Sequence, residues 1–367
     1  MRVRTTLLDD SNRLRLETVE LPDDSSEGAL VRVLYGGICG TDLHLAAGHD
    51  TRPRPLSLGH EFVGEIVELP SAPRTIDGRL VAVGDRVVVE PGYSCGDCDY
   101  CRRHGALMNL CLARRCHGLE SLDGDVPLLG GLSEYVRLSP AVHVQRIPDE
   151  LSTARAALSE PLAVAVRAAE RALASGRPDV NVGPSLGATA AVVGLGPIGA
   201  CVALTLERLG ATVVGLDVEP VRVALAGRLG LDAVAVHDEG GDGPAAVRER
   251  TNDLGADVVV ECAGAPSAFG LAFDLVRRGG RIVVLGHFYS AGSIDFDPMV
   301  VCRNDLEVVG SALGPREAYP KAAKLLSRAD IPWEALVSTT FPLSSVVDAF
   351  ELAARRTEGK ILVGPGE

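Results

Sequence analysis

Ala188-Thr189-Ala190-Ala191-Val192-Val193, then Gly194-Leu195-Gly196-Pro197-Ile198-Gly199, then Ala200-Cys201-Val202-Ala203-Leu204-Thr205-Leu206-Glu207-Arg208-Leu209 is the stretch that decides the fold. The first six residues form an apolar run of strand length, and the last ten carry the periodicity of a helix. Between them the glycines each have a task. The first allows a tight turn, the second lets a pyrophosphate approach the backbone, and the third lets helix and strand pack closely, with phosphates on the helix N-terminus. The glycine pattern alone is weak; strand, turn and helix in this order make it a dinucleotide site.

Working outward, Thr212-Val213-Val214-Gly215-Leu216 reads as the next strand and ends in Asp217. An acid there accepts hydrogen bonds from the ribose hydroxyls of NAD and repels the extra phosphate of NADP, and Glu219 adds to that repulsion. A surface Asp ending a strand is the plainer alternative. The alternation continues through a strand at Asp257 to Cys262, a helix at Phe269 to Arg278, a strand at Gly280 to Gly286 and a closing strand at Leu306 to Gly310. Such a rhythm predicts an α/β fold with a doubly wound parallel sheet. Helices near Tyr319 to Ser327 and Ser344 to Arg355, and a strand at Ile361 to Val363, break the rhythm and are expected to return to the other half of the chain. The one compositionally biased segment is the Gly- and Asp-rich loop from Asp238 to Gly243.

The N-terminal half reads differently. Ala29 to Tyr35, Glu61 to Glu68, Asp85 to Glu90 and Leu132 to Leu138 are short β-rich runs bounded by Gly, Pro and Asp. The loops between them carry Cys39-Gly40-Thr41-Asp42-Leu43-His44 and Gly59-His60-Glu61, and Glu160-Pro161 follows far downstream. A cysteine, a histidine and a carboxylate from separated segments suit an open zinc site, with three protein ligands and a fourth position for water or substrate. Thr153 to Ala169 is rich in good helix formers, and Pro161 suits a first turn, which sets Glu160 just before the helix. A purely capping Glu160 is the alternative.

Cys95, Cys98 and Cys101, with Cys111 and Cys116 following, suit a closed four-sulfur zinc site that leaves no position for chemistry. Cys111, the nearer, is taken as the fourth ligand and Cys116 as a bystander. Reactive free thiols are the other reading, disfavoured by their liability to oxidation.

Composition bounds these readings. A chain of 367 residues has room for two domains, and 46% hydrophobic with 23% charged residues is ordinary globular composition. A formal net charge of −13 argues against a nucleic-acid surface. The first residues lack the apolar core of a signal peptide and no apolar run has bilayer length, so a cytoplasmic protein without membrane association is expected. In that compartment nine cysteines point to metal ligands or core thiols more than to disulfides.

Together the Cys39-Gly40-Thr41-Asp42 loop, Gly59-His60-Glu61, the cysteine lobe, Glu160-Pro161-Leu162, the Gly194 to Gly199 turn and Asp217 resemble the zinc-dependent medium-chain alcohol dehydrogenase superfamily over nearly the whole chain. Val89-Glu90-Pro91 and Glu160-Pro161 resemble its polyol and sugar branch, with sorbitol, threonine and glucose dehydrogenases. The resemblance implies a GroES-like catalytic domain at 1–157 and 311–367, with a zinc lobe at about 91–116, and a Rossmann NAD-binding domain at 158–310. It implies a catalytic zinc held by Cys39, His60 and Glu160, with Glu61 behind the metal or exchanging onto it, a structural zinc on Cys95, Cys98, Cys101 and Cys111, and an active site in the interdomain cleft. It also implies that Thr41 bonds the reacting oxygen and passes its proton through the cofactor ribose toward His44, while Asp42 orients His60. Ordinary loop roles for Thr41 and His44 are the alternatives.

The sequence departs from the family twice. Glu160 stands where the second cysteine of an alcohol dehydrogenase zinc site would fall, and ten positions instead of eight separate Cys101 from Cys111. The expected activity is hydride transfer between a secondary alcohol of a polyol, sugar or cyclitol and NAD. The alternatives are a threonine-type dehydrogenase, an enzyme that retains NAD through an internal redox cycle, and a non-catalytic zinc or nucleotide-binding protein. The expected partner is a small-molecule alcohol, with a homodimer or homotetramer as the assembly.

Overall fold

The computed structural model describes residues 1–21, 28–71, 73–105, 108–124, 127–174, 187–236, 242–289 and 292–364; most of the Asp238 to Gly243 loop lies outside them. The chain forms two compact units, one of Met1–Glu160, Pro315–Arg356 and Lys360–Glu367, the other of Pro161–Gly314 with Thr357–Gly359.

Among the described residues, the second unit holds a six-stranded parallel sheet in the order Ala233–Ala235, Thr212–Asp217, Thr189–Val193, Ala256–Glu261, Val276–Val284, Glu307–Gly310. Its central strands Thr189–Val193 and Ala256–Glu261 are mostly Val and Ala because a parallel sheet is covered on both faces. Val193, Val214, Leu216, Val259 and Ile282 pack in one buried cluster with Ala268, Ala272 and Leu275 of the helix Pro266–Leu275. The strand order reverses beside Thr189–Val193, so the crevice at the carboxyl ends of that strand and of Ala256–Glu261 is where such sheets take ligands. Gly194 begins the turn there, and the helix Pro197–Arg208 follows with proline in its first turn. The expected helix at Phe269 to Arg278 ends earlier, at Leu275. Val276 already pairs with Ala256, and a register shift before Val258 lets Arg281 to Val284 resume the ladder.

The first unit is built on an antiparallel and mixed sheet. Among the described residues its order is Val337–Pro342, Lys360–Gly364, Leu30–Gly37, Glu61–Glu68, Arg86–Glu90, His143–Arg146, Arg74–Thr75, with Tyr135–Arg137 also on Leu30–Gly37. The expected strand at Leu132 to Leu138 is thus only its central part. A second sheet joins Leu14–Glu20, Arg2–Leu8 and Leu56–Ser57. Val31, Val33, Phe62, Ile66, Val87, Val89 and Val144 form one core cluster; Leu45, Leu58, Leu343, Val346, Phe350 and Ile361 belong to another. Fully burying each such side chain contributes roughly 1.5–3 kcal/mol. The late strand Lys360–Gly364 pairs with Leu30–Gly37, and so places the chain's last described residues beside the Cys39 loop.

The segment from Thr153 holds two helices, Thr153–Ala156 and Ser159–Leu173. The second begins at Ser159, so Glu160 is its second residue, inside the first turn, two positions further in than expected. No helix among the described residues is long and apolar enough to cross a membrane.

Candidate active site

Cys39 lies at the N-cap of the helix Gly40–Ala46, directly after the strand Leu30–Gly37. The Asp42 carboxylate reaches back to accept the Cys39 backbone N–H at 2.9 Å, which fixes the loop. His60 and Glu61 stand at the start of Glu61–Glu68, a neighbouring strand in the same sheet. Gly59 before them has φ of +99°, and a Cβ there would lie 2.5 Å from the Leu132 backbone N, so only glycine lets the chain enter the strand this way.

These elements bring the ligand atoms of Cys39, His60 and Glu61 within 4.8 Å of one another. His60 Nδ1 lies 3.6 Å from Asp42 Oδ1, and among the described residues neither buried atom has a hydrogen-bond partner; the carboxylate faces this side of the ring and leaves its other nitrogen to the donor group. Burial alone would lower the His60 pKa, but Asp42 and Cys39 more than offset it and the net shift is well upward. Burial, then Glu61, pushes the Cys39 thiol up. Sulfur, nitrogen and oxygen donors at this spacing, with Glu61 Oε1 buried and unpartnered among the described residues, fit a zinc ion.

The other Glu61 oxygen is taken. Lys360 Nζ donates to Glu61 Oε2 at 2.5 Å and to Ile38 O at 3.1 Å, and both side chains are buried. Burial opposes the Lys360 charge, yet Glu61 and Cys39 raise its pKa above the ordinary lysine value. Lys360 is a site residue that the sequence reading missed; the available signal was a single lysine opening the apolar strand Lys360–Gly364.

Glu160 stands outside the 4.8 Å group. It is buried, and its carboxyl is pushed up to about 7, first by burial and then by the charge of Glu61. The expected order of the two glutamates is therefore reversed in this geometry: Glu61, fixed by its strand and by Lys360, joins Cys39 and His60, and Glu160 flanks them. Tyr319, also missed, is buried in the helix Ala318–Leu326; burial, then Glu160 and Glu90, raises its hydroxyl well above the ordinary value. Glu90 is pushed up to about 7 by burial despite Arg316 Nε at 3.2 Å. Thr41 is buried in the first turn of its helix, and His44 lies half-buried in the next.

In the lobe, the sulfurs of Cys95, Cys98, Cys101 and Cys111 lie within 4.8 Å of one another, with contacts of 3.5 to 4.0 Å. Zinc–sulfur bonds of about 2.3 Å at tetrahedral angles put sulfurs about 3.8 Å apart, so this set fits a closed zinc site. The backbone N–H groups of Leu112 and Cys101 hold the Cys98 thiol down to about 6. The longer connection to Cys111, of which 106–107 lie outside the described residues, does not keep that sulfur away. Cys116 stands outside the four; burial pushes its thiol up to about 12, and His60 and Glu160 are its next electrostatic neighbours.

In the second unit a Cβ on Gly199 would lie 1.8 Å from Gly194 O, so the helix approaches the turn as closely as the sequence pattern requires. Asp217 is buried and accepts the backbone N–H of Leu195 at 2.6 Å and of Glu219 at 2.9 Å. Arg222 Nη1 lies 3.6 Å from its carboxylate.

Comparison with known proteins gives concordant results. The zinc-binding dehydrogenase family matches residues 197–328, and the alcohol dehydrogenase GroES-like domain family matches residues 25–149. A sorbitol dehydrogenase of Bacillus subtilis (strain 168) is 31% identical over 96% of this chain and 93% of its own length. A D-arabitol-phosphate dehydrogenase of Enterococcus avium is 31% identical over 94% of this chain and 92% of its own. Among solved structures, a zinc-binding dehydrogenase from Sinorhizobium meliloti 1021 bound to NADP superposes with a TM-score of 0.84 at 28% identity, covering 100% of both chains.

Proposed function

The chain belongs to the zinc-dependent medium-chain alcohol dehydrogenase superfamily, in its polyol branch, and from that premise we propose that it oxidises a secondary hydroxyl of a polyol, sugar or cyclitol with NAD as the hydride acceptor. It is an oxidoreductase of CH–OH donors with a GroES-like and a Rossmann unit. The observation that carries the reading is the convergence of Cys39, His60 and Glu61 donors around a buried, unpartnered Glu61 oxygen.

Cys39, His60 and Glu61 would hold the zinc, which would supply Lewis acidity toward a substrate hydroxyl. The chain's own groups do the rest. Asp42 orients His60, Lys360 keeps Glu61 aimed, and Thr41 is the hydroxyl assigned to the reacting oxygen. Glu160, whose carboxyl burial pushes up to about 7, and the buried Tyr319 are suited to hydrogen-bond a hydroxylated substrate.

Gly194, Gly196, Pro197, Ile198 and Gly199 are assigned to the pyrophosphate, and Asp217 to the ribose. Asp217 with Glu219 supports NAD here, although one structural relative holds NADP, because a second phosphate would meet two carboxylates, with the Arg222 guanidinium, 3.6 Å from Asp217, offsetting part of that repulsion. Cys95, Cys98, Cys101 and Cys111 are assigned to a structural zinc. A cytoplasmic homodimer or homotetramer completes the proposal.

A panel of polyols, polyol phosphates, sugars and cyclitols, screened for NADH formation with wild type and with Cys39→Ala, tests the reading. Turnover confined to wild type supports it; equal turnover in the variant would remove the metal assignment.

A further inference from the structure

Oxidising a secondary alcohol releases one hydride and one proton, and the proton has to reach water. His44 lies in the helix Gly40–Ala46 and His49 just beyond it, where the His49 backbone N–H donates to His44 O at 3.0 Å. This turn of chain folds the two rings together: Nδ1 of His44 stands 3.2 Å from Nδ1 of His49, with centroids 5.5 Å apart. On its other side, His44 Nε2 faces Arg356 Nη2 at 3.4 Å.

A guanidinium can only donate. Nε2 of His44 is therefore its acceptor nitrogen, and the neutral ring carries its hydrogen on Nδ1. Two ring nitrogens 3.2 Å apart share one hydrogen, so Nδ1 of His49 accepts and its own hydrogen sits on Nε2. His44 is half-buried while His49 is exposed. The chain thus lines up an acceptor, a shared hydrogen and a donor, running from the helix toward solvent.

We propose that His49 is the terminal member of a two-histidine proton relay, accepting from His44 the proton released by the substrate hydroxyl and passing it to water. The proposal rests on the dehydrogenase reading above. As a proton reaches His44 Nε2 and displaces the exposed Arg356 guanidinium from it, the hydrogen on His44 Nδ1 moves to His49 Nδ1, and His49 loses its Nε2 hydrogen to water or a buffer base. One proton leaves for each alcohol oxidised, the electron pair having gone as hydride to the dinucleotide oxidant. Each ring ends neutral with its hydrogen on the opposite nitrogen, and flips to reset.

The surrounding charges favour passage over storage. Arg356 opposes a lasting imidazolium on His44. Arg54 donates to the carbonyls of Leu45 and Asp50, and the Asp50 carboxylate is engaged by the backbone N–H of Arg52 and by its guanidinium at 3.5 Å. The carboxylate nearest in sequence is thereby held by Arg52, and His49 lies exposed at the solvent end of the path.

The test uses the full-length, zinc-loaded protein and His49→Gln, with two readouts. Nitrogen NMR of wild type is expected to show a coupling across the hydrogen bond between the two Nδ1 atoms, a measurement independent of turnover. Single-turnover proton release, followed by a pH indicator with NAD and the best alcohol of the panel, is expected to slow about tenfold near neutral pH in His49→Gln. KM should stay within about twofold and added imidazole should restore the rate, which a merely structural histidine would not allow. An unchanged rate in His49→Gln overturns the relay even if the coupling is seen, and an absent coupling removes its geometric basis. A wild type that oxidises no alcohol refutes the dehydrogenase reading itself, a failure distinct from turnover with unaltered proton release.

Discussion

Replacing Lys360 with methionine separates the two charges that Glu61 can answer to. In the structure Lys360 Nζ lies 2.5 Å from Glu61 Oε2 and 3.1 Å from Ile38 O, and the side chains are 2% and 0% exposed. Removing one partner of a buried ion pair leaves the other charge uncompensated and typically costs about 3–5 kcal/mol. The lost hydrogen bond to Ile38 O places the expected cost for zinc-free protein near the middle, about 4 kcal/mol. In zinc-loaded protein the metal supplies a countercharge to Glu61, and the cost should fall to about 2 kcal/mol.

The difference has to reappear as metal affinity, because coupling between two sites is reciprocal. About 2 kcal/mol corresponds to roughly 30-fold tighter zinc binding in Lys360→Met. Trp333, the single tryptophan, is buried in the same unit, so its fluorescence in urea follows unfolding of the part that carries the pair. Chelator competition gives the affinity. The double variant Glu61→Gln/Lys360→Met should regain most of the zinc-free loss, since the stranded charge is gone. A cost below about 1 kcal/mol in both states, or zinc affinity unchanged in Lys360→Met, would refute the reasoning.

Three further outcomes are expected. Asp217→Asn removes the charge and keeps one acceptor oxygen for the Leu195 and Glu219 N–H groups that the two Asp217 oxygens now accept, so its preference for NAD over NADP should fall about tenfold or more in kcat/KM; an unaltered ratio removes Asp217 from cofactor selection. His117 is fully buried between Leu129 O and the Ser139 N–H, and burial pulls its pKa from 6.5 to about 4, so its contribution to stability is complete above pH 6.5 and declines as pH falls toward 4. The stability difference between wild type and His117→Gln should shrink by about 2 kcal/mol between pH 7.5 and about pH 5, and a pH-independent difference would contradict the buried neutral ring. Cys111→Ser should lose the lobe's zinc while Cys116→Ser keeps it, as metal analysis of each will tell; the reverse result would exchange the two cysteines.

The Rossmann half was legible because its signals are local. Strand, glycine turn and helix from Ala188 to Leu209 follow one another in sequence, and the family comparison agrees with the fold they imply. The strand beginning at Val276 was hidden because Arg277-Arg278-Gly279-Gly280 reads as a helix end, and only pairing with Ala256 across the sheet makes it extended. The donors Cys39 and His60 were visible as residue types in loops. The choice between Glu61 and Glu160 was not, because spacing gives no direction to a side chain. Lys360 stayed hidden because its burial depends on a carboxylate 299 positions away. The meeting of His44 with His49 likewise depends on the turn that ends a short helix, which residue types alone do not specify.

The central claim is that a metal held by Cys39, His60 and Glu61 performs the chemistry. Its most direct test is to strip zinc from the protein, add it back in steps, and follow bound metal and polyol-dependent NADH formation together in wild type and Cys39→Ala. The account predicts that wild-type activity vanishes with the metal and returns in proportion to refilling of one site beyond the four-cysteine lobe, while Cys39→Ala binds only the lobe's zinc and stays inactive. Activity that survives metal removal, or returns in Cys39→Ala, would contradict it.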